Sequence, residues 1–239
     1  MKGVIACRAP GVAVIDLAHG IPPQDVLAGA LVLRHAIPFF PEGAVHLAVV
    51  DPGVGTSRRA VCIETDTARF VGPDNGVLTL AAPPARIRRA VTLSNERFFL
   101  SPRSQTFHGR DVFAPVAAAL ATGTDPGELG PACTDLALLE LPPLDMTGAV
   151  VHAQVVYIDR FGNLTTNLMD SPLLDRVAQL RIGDELIPGL SGSYAAVPIG
   201  TTLAIVNSWG HLEIAVRNGS ARERFAASVG MPVVVELRQ

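Results

Sequence analysis

Long apolar runs are missing from this 239-residue chain: none approaches the roughly 20 residues a helix needs to cross a bilayer. Its first residues are not expected to act as a secretory signal, because one cation precedes a short apolar run that Arg8 soon ends. Cysteine is scarce. Cys7, Cys62 and Cys133 are odd in number and share no short paired spacing, so neither a disulfide framework nor a four-cysteine zinc site is expected. A reducing cytoplasm is the simplest compartment. An excess of one charge is also absent: a formal charge of -3 offers no electrostatic footprint for nucleic acid or an anionic membrane, which leaves a small molecule as the expected partner. No internal repeat or low-complexity tract occurs. With 49% hydrophobic and 17% charged residues, the balance is that of a globular chain and excludes a disordered one.

Several common catalytic signatures are missing as well. No Gly-Lys-Ser or Gly-Lys-Thr follows the glycines after Asp51, and the dinucleotide fingerprint lacks its third glycine. The serine-hydrolase elbow fails at Gly189-Leu-Ser191-Gly-Ser193, which misses the final glycine. No His-x-x-x-His or close Cys pair supplies the clustered ligands of a zinc enzyme, so no metal is expected.

What the chain does have is alternation. Residues 13–17 read as a strand, and the turn-rich Ala18-His-Gly-Ile-Pro-Pro leads into residues 25–39, whose apolar spacing and alanine content predict a helix. Residues 45–50 form a nearly continuous apolar run, the pattern of a strand buried on both faces, ending at Asp51. Residues 60–64, 69–71 and 90–93 read as further strands, and 76–82 and 111–121 as helices. Strands alternating with helices predict an α/β layer with a mostly parallel sheet. Residues 123–143, rich in Gly, Pro, Asp and Leu without a period, read as a connection. Beyond them the runs at 150–158, 203–206, 212–215 and 233–237 are short, β-like and separated by turn residues, predicting a smaller antiparallel, barrel-like domain. The boundaries drawn on this basis are 1–141 and 142–239.

Four polar motifs punctuate this pattern: Asp51-Pro-Gly-Val-Gly-Thr-Ser-Arg58-Arg59, Phe107-His108-Gly-Arg-Asp111, Asp159-Arg-Phe161-Gly-Asn163 and Asn207-Ser208-Trp209-Gly-His-Leu-Glu. Gly72-Pro-Asp-Asn-Gly76 and Arg217-Asn218-Gly219 lie between and after them. Asp51 falls at the predicted carboxyl end of a strand, where open α/β sheets place their ligands. Asp-Pro-Gly is equally a common turn opening, and Arg58 equally a solvated cation. His108, just before a helical run, reads as an acid or base or as a structural histidine. His19, His35, His46, His152 and His211 read as surface or packing residues. Asp159 and Asn163 flank a tight turn in which a carboxylate can meet an ammonium, an amide can read a base edge and Phe161 presents a ring. Asn163, Asn207 and Asn218 also carry the plain reading of asparagine in a turn. Trp209, the only tryptophan, reads either as a ligand contact or as packing between subunits.

In this order and over nearly the whole chain, the motifs resemble those of the S-adenosyl-L-methionine (SAM) hydroxide adenosyltransferases, water-using relatives of the enzymatic fluorinases and chlorinases. The resemblance implies an N-terminal α/β domain, a C-terminal β-barrel and a homotrimer with sites between subunits. It implies hydrolysis of SAM to adenosine and L-methionine at ribose C5′, without cofactor. Asp51, Arg58 and His108 match the cluster around the attacking water. Asp159 matches the residue holding the methionine amino group, Phe161 and Asn163 the adenine contacts, Ser208 the methionine carboxylate contact, and Asn218 with the Gly219 backbone the purine contacts. The alternatives are a halide-using adenosyl transferase and a non-catalytic SAM or nucleoside binder. Fluorinase-like relatives carry an uncharged tyrosine where this chain has Asp51, and a long insertion where it runs directly from Arg59 to Gly72. Both differences favour water. Family members also carry a strand and a Thr-Asp-Phe-Gly-like loop ahead of the point matching Met1, whose aspartate holds the ribose hydroxyls. The 239-residue form is therefore expected to bind SAM more weakly than one with that loop.

Overall fold

A computed structural model describes residues 1–169 and 171–238. The chain divides into two compact units, Met1–Glu140 and Leu141–Gln239.

The first unit contains helices α1 (Lys2–Arg8), α2 (Val26–Ala36) and α3 (Ala114–Ala121), and strands β1 (Ala44–Leu47), β2 (Ala60–Thr65), β3 (Ala68–Pro73) and β4 (Ile87–Thr92). Asp25 caps α2 by accepting the Ala28 amide at 2.9 Å, which satisfies one of the amides left open at a helix start. The strands form one sheet in the order β1-β3-β2-β4. Only β1 and β3 run parallel; β3-β2 and β2-β4 are antiparallel, so the expected mostly parallel sheet is in fact mixed. The reason is local. Only Asp66 and Thr67 separate β2 from β3, and so short a connection can join strands only as an antiparallel hairpin, whereas a parallel pair needs a crossover.

Three other sequence expectations shift here. Residues 13–17 are exposed, extended chain with no strand partner among the described residues; with β1 they line a groove of about 950 Å³ that reaches Asp51. The segment 76–82 forms successive turns instead of a helix, the Thr79 hydroxyl competing with backbone donors for the Gly76 carbonyl at 3.0 Å. The apolar run at 45–50 is an edge strand that ends at Leu47 and is mostly half-buried, not enclosed on both faces. Its extension is nonetheless held in place. The Ala48 amide donates to the Val71 carbonyl at 3.1 Å, and Asn75 Nδ2 to the Val50 carbonyl at 2.8 Å. Gly72 permits the approach: a Cβ there would stand 2.4 Å from the Ala48 carbonyl oxygen. The chain thus delivers Asp51 in a defined direction.

The second unit is nearly all β: β5 (Asp145–Thr147), β6 (Val150–Ile158), β7 (Leu164–Met169), β8 (Val177–Ile182), β9 (Glu185–Ile187), β10 (Thr202–Val206), β11 (His211–Val216) and β12 (Pro232–Leu237), with a short α-helix, α4 (Ala221–Arg224), and 3-10 turns at Leu174–Arg176 and Tyr194–Ala196. They form an antiparallel sheet in the order β10-β11-β7-β6-β12-β8-β9, with β5 paired to β6. It curls on itself: the Ser191 amide, just past β9, donates to the Ala204 carbonyl of β10 at 2.7 Å. Val151, Val155, Leu164, Leu180, Ile214 and Val235 fill the interior. Strands β7 and β8 were not evident in sequence, because Leu-Thr-Thr-Asn-Leu-Met and Val-Ala-Gln-Leu-Arg-Ile mix polar residues into the runs. Among the described residues no helix is long and apolar enough to cross a membrane.

Candidate active site

Asp51 begins a glycine-rich loop whose turns, Val54 amide to Asp51 carbonyl and Thr56 amide to Gly53 carbonyl, reverse the chain and return Arg58 to Asp51. The guanidinium grips the carboxylate with two bonds, Nε to Oδ1 at 2.8 Å and Nη2 to Oδ2 at 2.5 Å. This fork is the strongest geometry available to such a pair. Both side chains are largely buried, with 6% of Asp51 and 11% of Arg58 exposed, so solvent screens the pair little. Phe113 lies beneath, its ring centre 5.3 Å from the guanidinium carbon.

Arg58 Nη2 also reaches His108 Nδ1 at 2.8 Å. Arginine has no acceptor, so Nδ1 must accept and the neutral ring carries its proton on Nε2. That Nε2 is buried and has no partner among the described residues. Burial first, then the positive charges of Arg58 and Arg103, hold the His108 pKa below the usual imidazole value. The residue precedes a π-helical turn, Gly109–Phe113, that leads into α3. Asp111 locks this turn from within: it is buried, accepts the Ser104 amide at 2.8 Å and Arg110 Nε at 2.6 Å, and is held below the ordinary carboxylate pKa chiefly by Arg110. Asp51, Arg58 and His108 therefore come together as one hydrogen-bonded unit with an unspent donor.

In the second unit, Asp159 organises its own turn. Its Oδ1 accepts the amides of Phe161 at 2.8 Å and Asn163 at 2.9 Å, and its Oδ2 accepts Asn163 Nδ2 at 3.0 Å. Phe161 projects outward, 62% exposed. Gly162 (φ +83°) brings this turn against the one that holds Asn218 and Gly219: a Cβ would lie 2.1 Å from Ser220 Oγ, and the Arg222 amide donates to the Gly162 carbonyl at 2.9 Å. Asn218 itself adopts φ +54°, the left-handed conformation asparagine tolerates.

Asp159, Ser208 and Trp209 line one cavity of about 370 Å³; Phe161, Asn163, Asn218 and Gly219 lie outside its lining. The Trp209 ring packs on Tyr157 with centroids 5.2 Å apart. The hairpin between β10 and β11 is shaped by Asn207, whose Oδ1 accepts the amides of Trp209 at 3.0 Å and His211 at 3.1 Å. Two lining residues received no role in the sequence reading: Glu213, which ends the fourth motif, and Tyr194. Glu213 is 95% buried in a strand whose residues after His211 are otherwise apolar, and that break in an apolar run was the available signal. Burial, then the bond to Glu213, raises the Tyr194 pKa and keeps its hydroxyl protonated. Among the described residues no group of three or more His, Cys, Asp or Glu is arranged to hold a metal ion.

Comparison with known proteins agrees with this division. The family profile for the SAM hydroxide adenosyltransferase N-terminal domain matches residues 1–130, and that for the C-terminal domain matches residues 153–234. A relative from Thermus thermophilus named (R)-S-adenosyl-L-methionine hydrolase is 46% identical over 243 residues, covering 98% of this chain and 91% of its own. A fluorinase from Actinoplanes is 27% identical, covering 98% of this chain and 91% of its own. The crystal structure of an uncharacterized conserved protein from Thermotoga maritima superposes with a TM-score of 0.88 at 33% identity, covering 98% of this chain and 92% of that one. With both domain profiles matched and a relative this similar along almost its full length, the chain belongs to the SAM hydroxide adenosyltransferase family.

Proposed function

We propose that this protein hydrolyses S-adenosyl-L-methionine to adenosine and L-methionine by attack of water at ribose C5′. The observation that supports this best is the buried Asp51, Arg58 and His108 unit, set in a chain 46% identical to an (R)-S-adenosyl-L-methionine hydrolase. We extend the (R) sulfonium preference in that relative's name to this substrate.

In the reaction a water oxygen forms a bond to C5′ as the C5′–S bond breaks, and its electron pair stays on sulfur, leaving neutral methionine. The sulfonium is already a good leaving group, so no acid is needed at sulfur. The barrier lies in aligning a weak nucleophile, and positioning of this kind contributes up to about 7–11 kcal/mol. In our reading His108 Nε2–H holds the water oxygen, since Nδ1 is taken by Arg58. Asp51, with lone pairs beyond those bonded to Arg58, accepts the water proton as the bond forms. Asp159 takes the methionyl ammonium, Ser208 with nearby backbone the carboxylate, and Trp209 flanks that end. Phe161, Asn163, Asn218 and Gly219 take the adenine. No metal or cofactor enters the scheme.

An anionic nucleophile fits less well, because the Asp51 carboxylate would repel a halide where screening is weak. Incubation in ¹⁸O-labelled water with abundant chloride tests the reading: label in the adenosine 5′-hydroxyl is expected, and a dominant 5′-chloro product would overturn it. We place the enzyme in the cytoplasm and propose a homotrimer whose sites are completed between subunits. Mixing an Asp51 variant with an Asn218 variant should then restore part of the activity, and no recovery in mixed trimers argues against shared sites.

A further inference from the structure

We propose that Glu213 is a positioning residue that sets recognition of the aminoacyl end of the substrate. This rests on the reaction proposed above. Three observations carry it. The side chain is 95% buried in the cavity that also holds Asp159. Its partners are neutral: Tyr194 Oη donates to Oε1 at 2.6 Å, Asn207 Nδ2 to Oε2 at 3.0 Å, and no cation among the described residues pairs with it. Through Asn207, Glu213 helps to hold the hairpin that presents Ser208 and Trp209, since Asn207 Nδ2 donates to Glu213 and, at 3.3 Å, to Thr165 Oγ1, while Asn207 Oδ1 accepts the Trp209 and His211 amides.

The orientation of Asn207 depends on this arrangement. An amide that flips exchanges donor for acceptor, and the acceptors at Glu213 and Thr165, Glu213 by the shorter bond, keep the Asn207 oxygen facing the hairpin amides. A carboxylate supplies acceptors on both sides, which an amide in its place does not. Its charge has a second consequence. A buried anion bonded only to neutral donors is costly unless a cation completes it, and the Asp159 carboxylate in the same cavity is likewise held by neutral donors. The cavity is thus electrostatically incomplete, and a ligand ammonium beside the Tyr157 and Trp209 rings would complete it.

Glu213→Gln and Tyr194→Phe test this with two substrates: SAM, and a truncated sulfonium in which a methyl group replaces the aminoacyl chain. Loss of a charged hydrogen-bonding partner should raise KM for SAM about 10- to 100-fold in Glu213→Gln, with kcat changed less than about threefold. Tyr194→Phe should shift KM in the same direction by a smaller factor. Neither should alter kcat/KM for the truncated sulfonium, which never enters this cavity. A merely structural role would depress both substrates together, and that result overturns the proposal. So does an unchanged KM for SAM in both variants while the wild type forms adenosine. If Glu213→Gln does not fold, Tyr194→Phe decides alone. Absence of adenosine from the wild type overturns the proposed reaction itself, a distinct outcome.

Discussion

Both units bury carboxylates at candidate ligand sites, but they balance the charge in opposite ways. Asp51 is neutralised inside the protein by the fork of Arg58, which also fixes His108. Half-buried Asp159 and buried Glu213 are held by amides, a hydroxyl and carboxamides, none of which carries a charge. The first arrangement is internally complete and suits a neutral partner such as water, presenting it with a donor and an acceptor. In the proposal above, the second is completed by a positive charge on the ligand. The difference teaches that hydrogen bonding alone does not indicate what a buried carboxylate is for; whether its partners carry charge does.

The largest expected effect comes from breaking the complete arrangement. Asp51→Asn removes the negative member and the proposed proton acceptor together, leaving Arg58 uncompensated, and should lower kcat by about 10²–10⁴-fold while circular dichroism shows a folded protein. Near-normal turnover would remove Asp51 from the mechanism. Breaking the incomplete arrangement should act on binding instead. Asp159→Asn preserves an acceptor for the Phe161 and Asn163 amides but loses the charge, so KM should rise about 10- to 100-fold with a smaller change in kcat. An equal fall in kcat would contradict the contrast between the units.

Acidity sharpens the same comparison. His108 sits beside Arg58, and its lowered pKa keeps the ring neutral at neutral pH. A second proton would break the Nδ1 bond and set two cations together, so kcat/KM should fall on acidification with a midpoint below about 6.5, the usual histidine value. A midpoint above that value would show that a different group controls the profile.

Smaller effects fall on stability. Gly162→Ala would place a Cβ against Ser220 at a positive φ, and should cost about 1–3 kcal/mol and lower Tm by a few degrees. Smallest is His46→Leu. His46 is buried between the Phe40 and Phe70 rings, its Nε2 has no partner among the described residues, and burial lowers its pKa. The folded state therefore binds a proton here less readily than the unfolded one. The stability at stake is intact above about pH 6.5 and is lost as pH falls through that value toward the folded pKa. At pH 7.5 the variant should lie within about 1 kcal/mol of wild type, and it should lose less stability between pH 7.5 and 5.5. Thermal melts at both pH values check this, and identical pH dependence would exclude His46 as a contributor.

The sequence was most informative where chemistry is local. Asp159, Phe161 and Asn163 lie within one turn, and their mutual bonds follow from an Asx-type turn encoded within residues 159–163. Helix α2 was likewise visible in spacing and composition, although the expected span of 25–39 is longer than the observed Val26–Ala36. Residues 13–17 and 76–82 misled for a common reason: an apolar run records a tendency to be buried, and says nothing of whether a pairing strand or a competing side-chain bond is present.

What the sequence determined by itself, then, is the set of chemical groups, their order and the family in which that order occurs, because residue type and short spacing survive without knowledge of the fold. The tertiary structure alone decided the partnerships. Arg58 meets a histidine 50 residues away, which settles the tautomer of His108 and leaves Nε2 as the free donor. Glu213 meets Tyr194 across 19 residues and Asn207 across a hairpin, which turns an inconspicuous strand residue into the anchor of a cavity. Such contacts are set by strand pairing and chain reversal, so the charge balance of each site becomes visible only once the chain has folded back on itself.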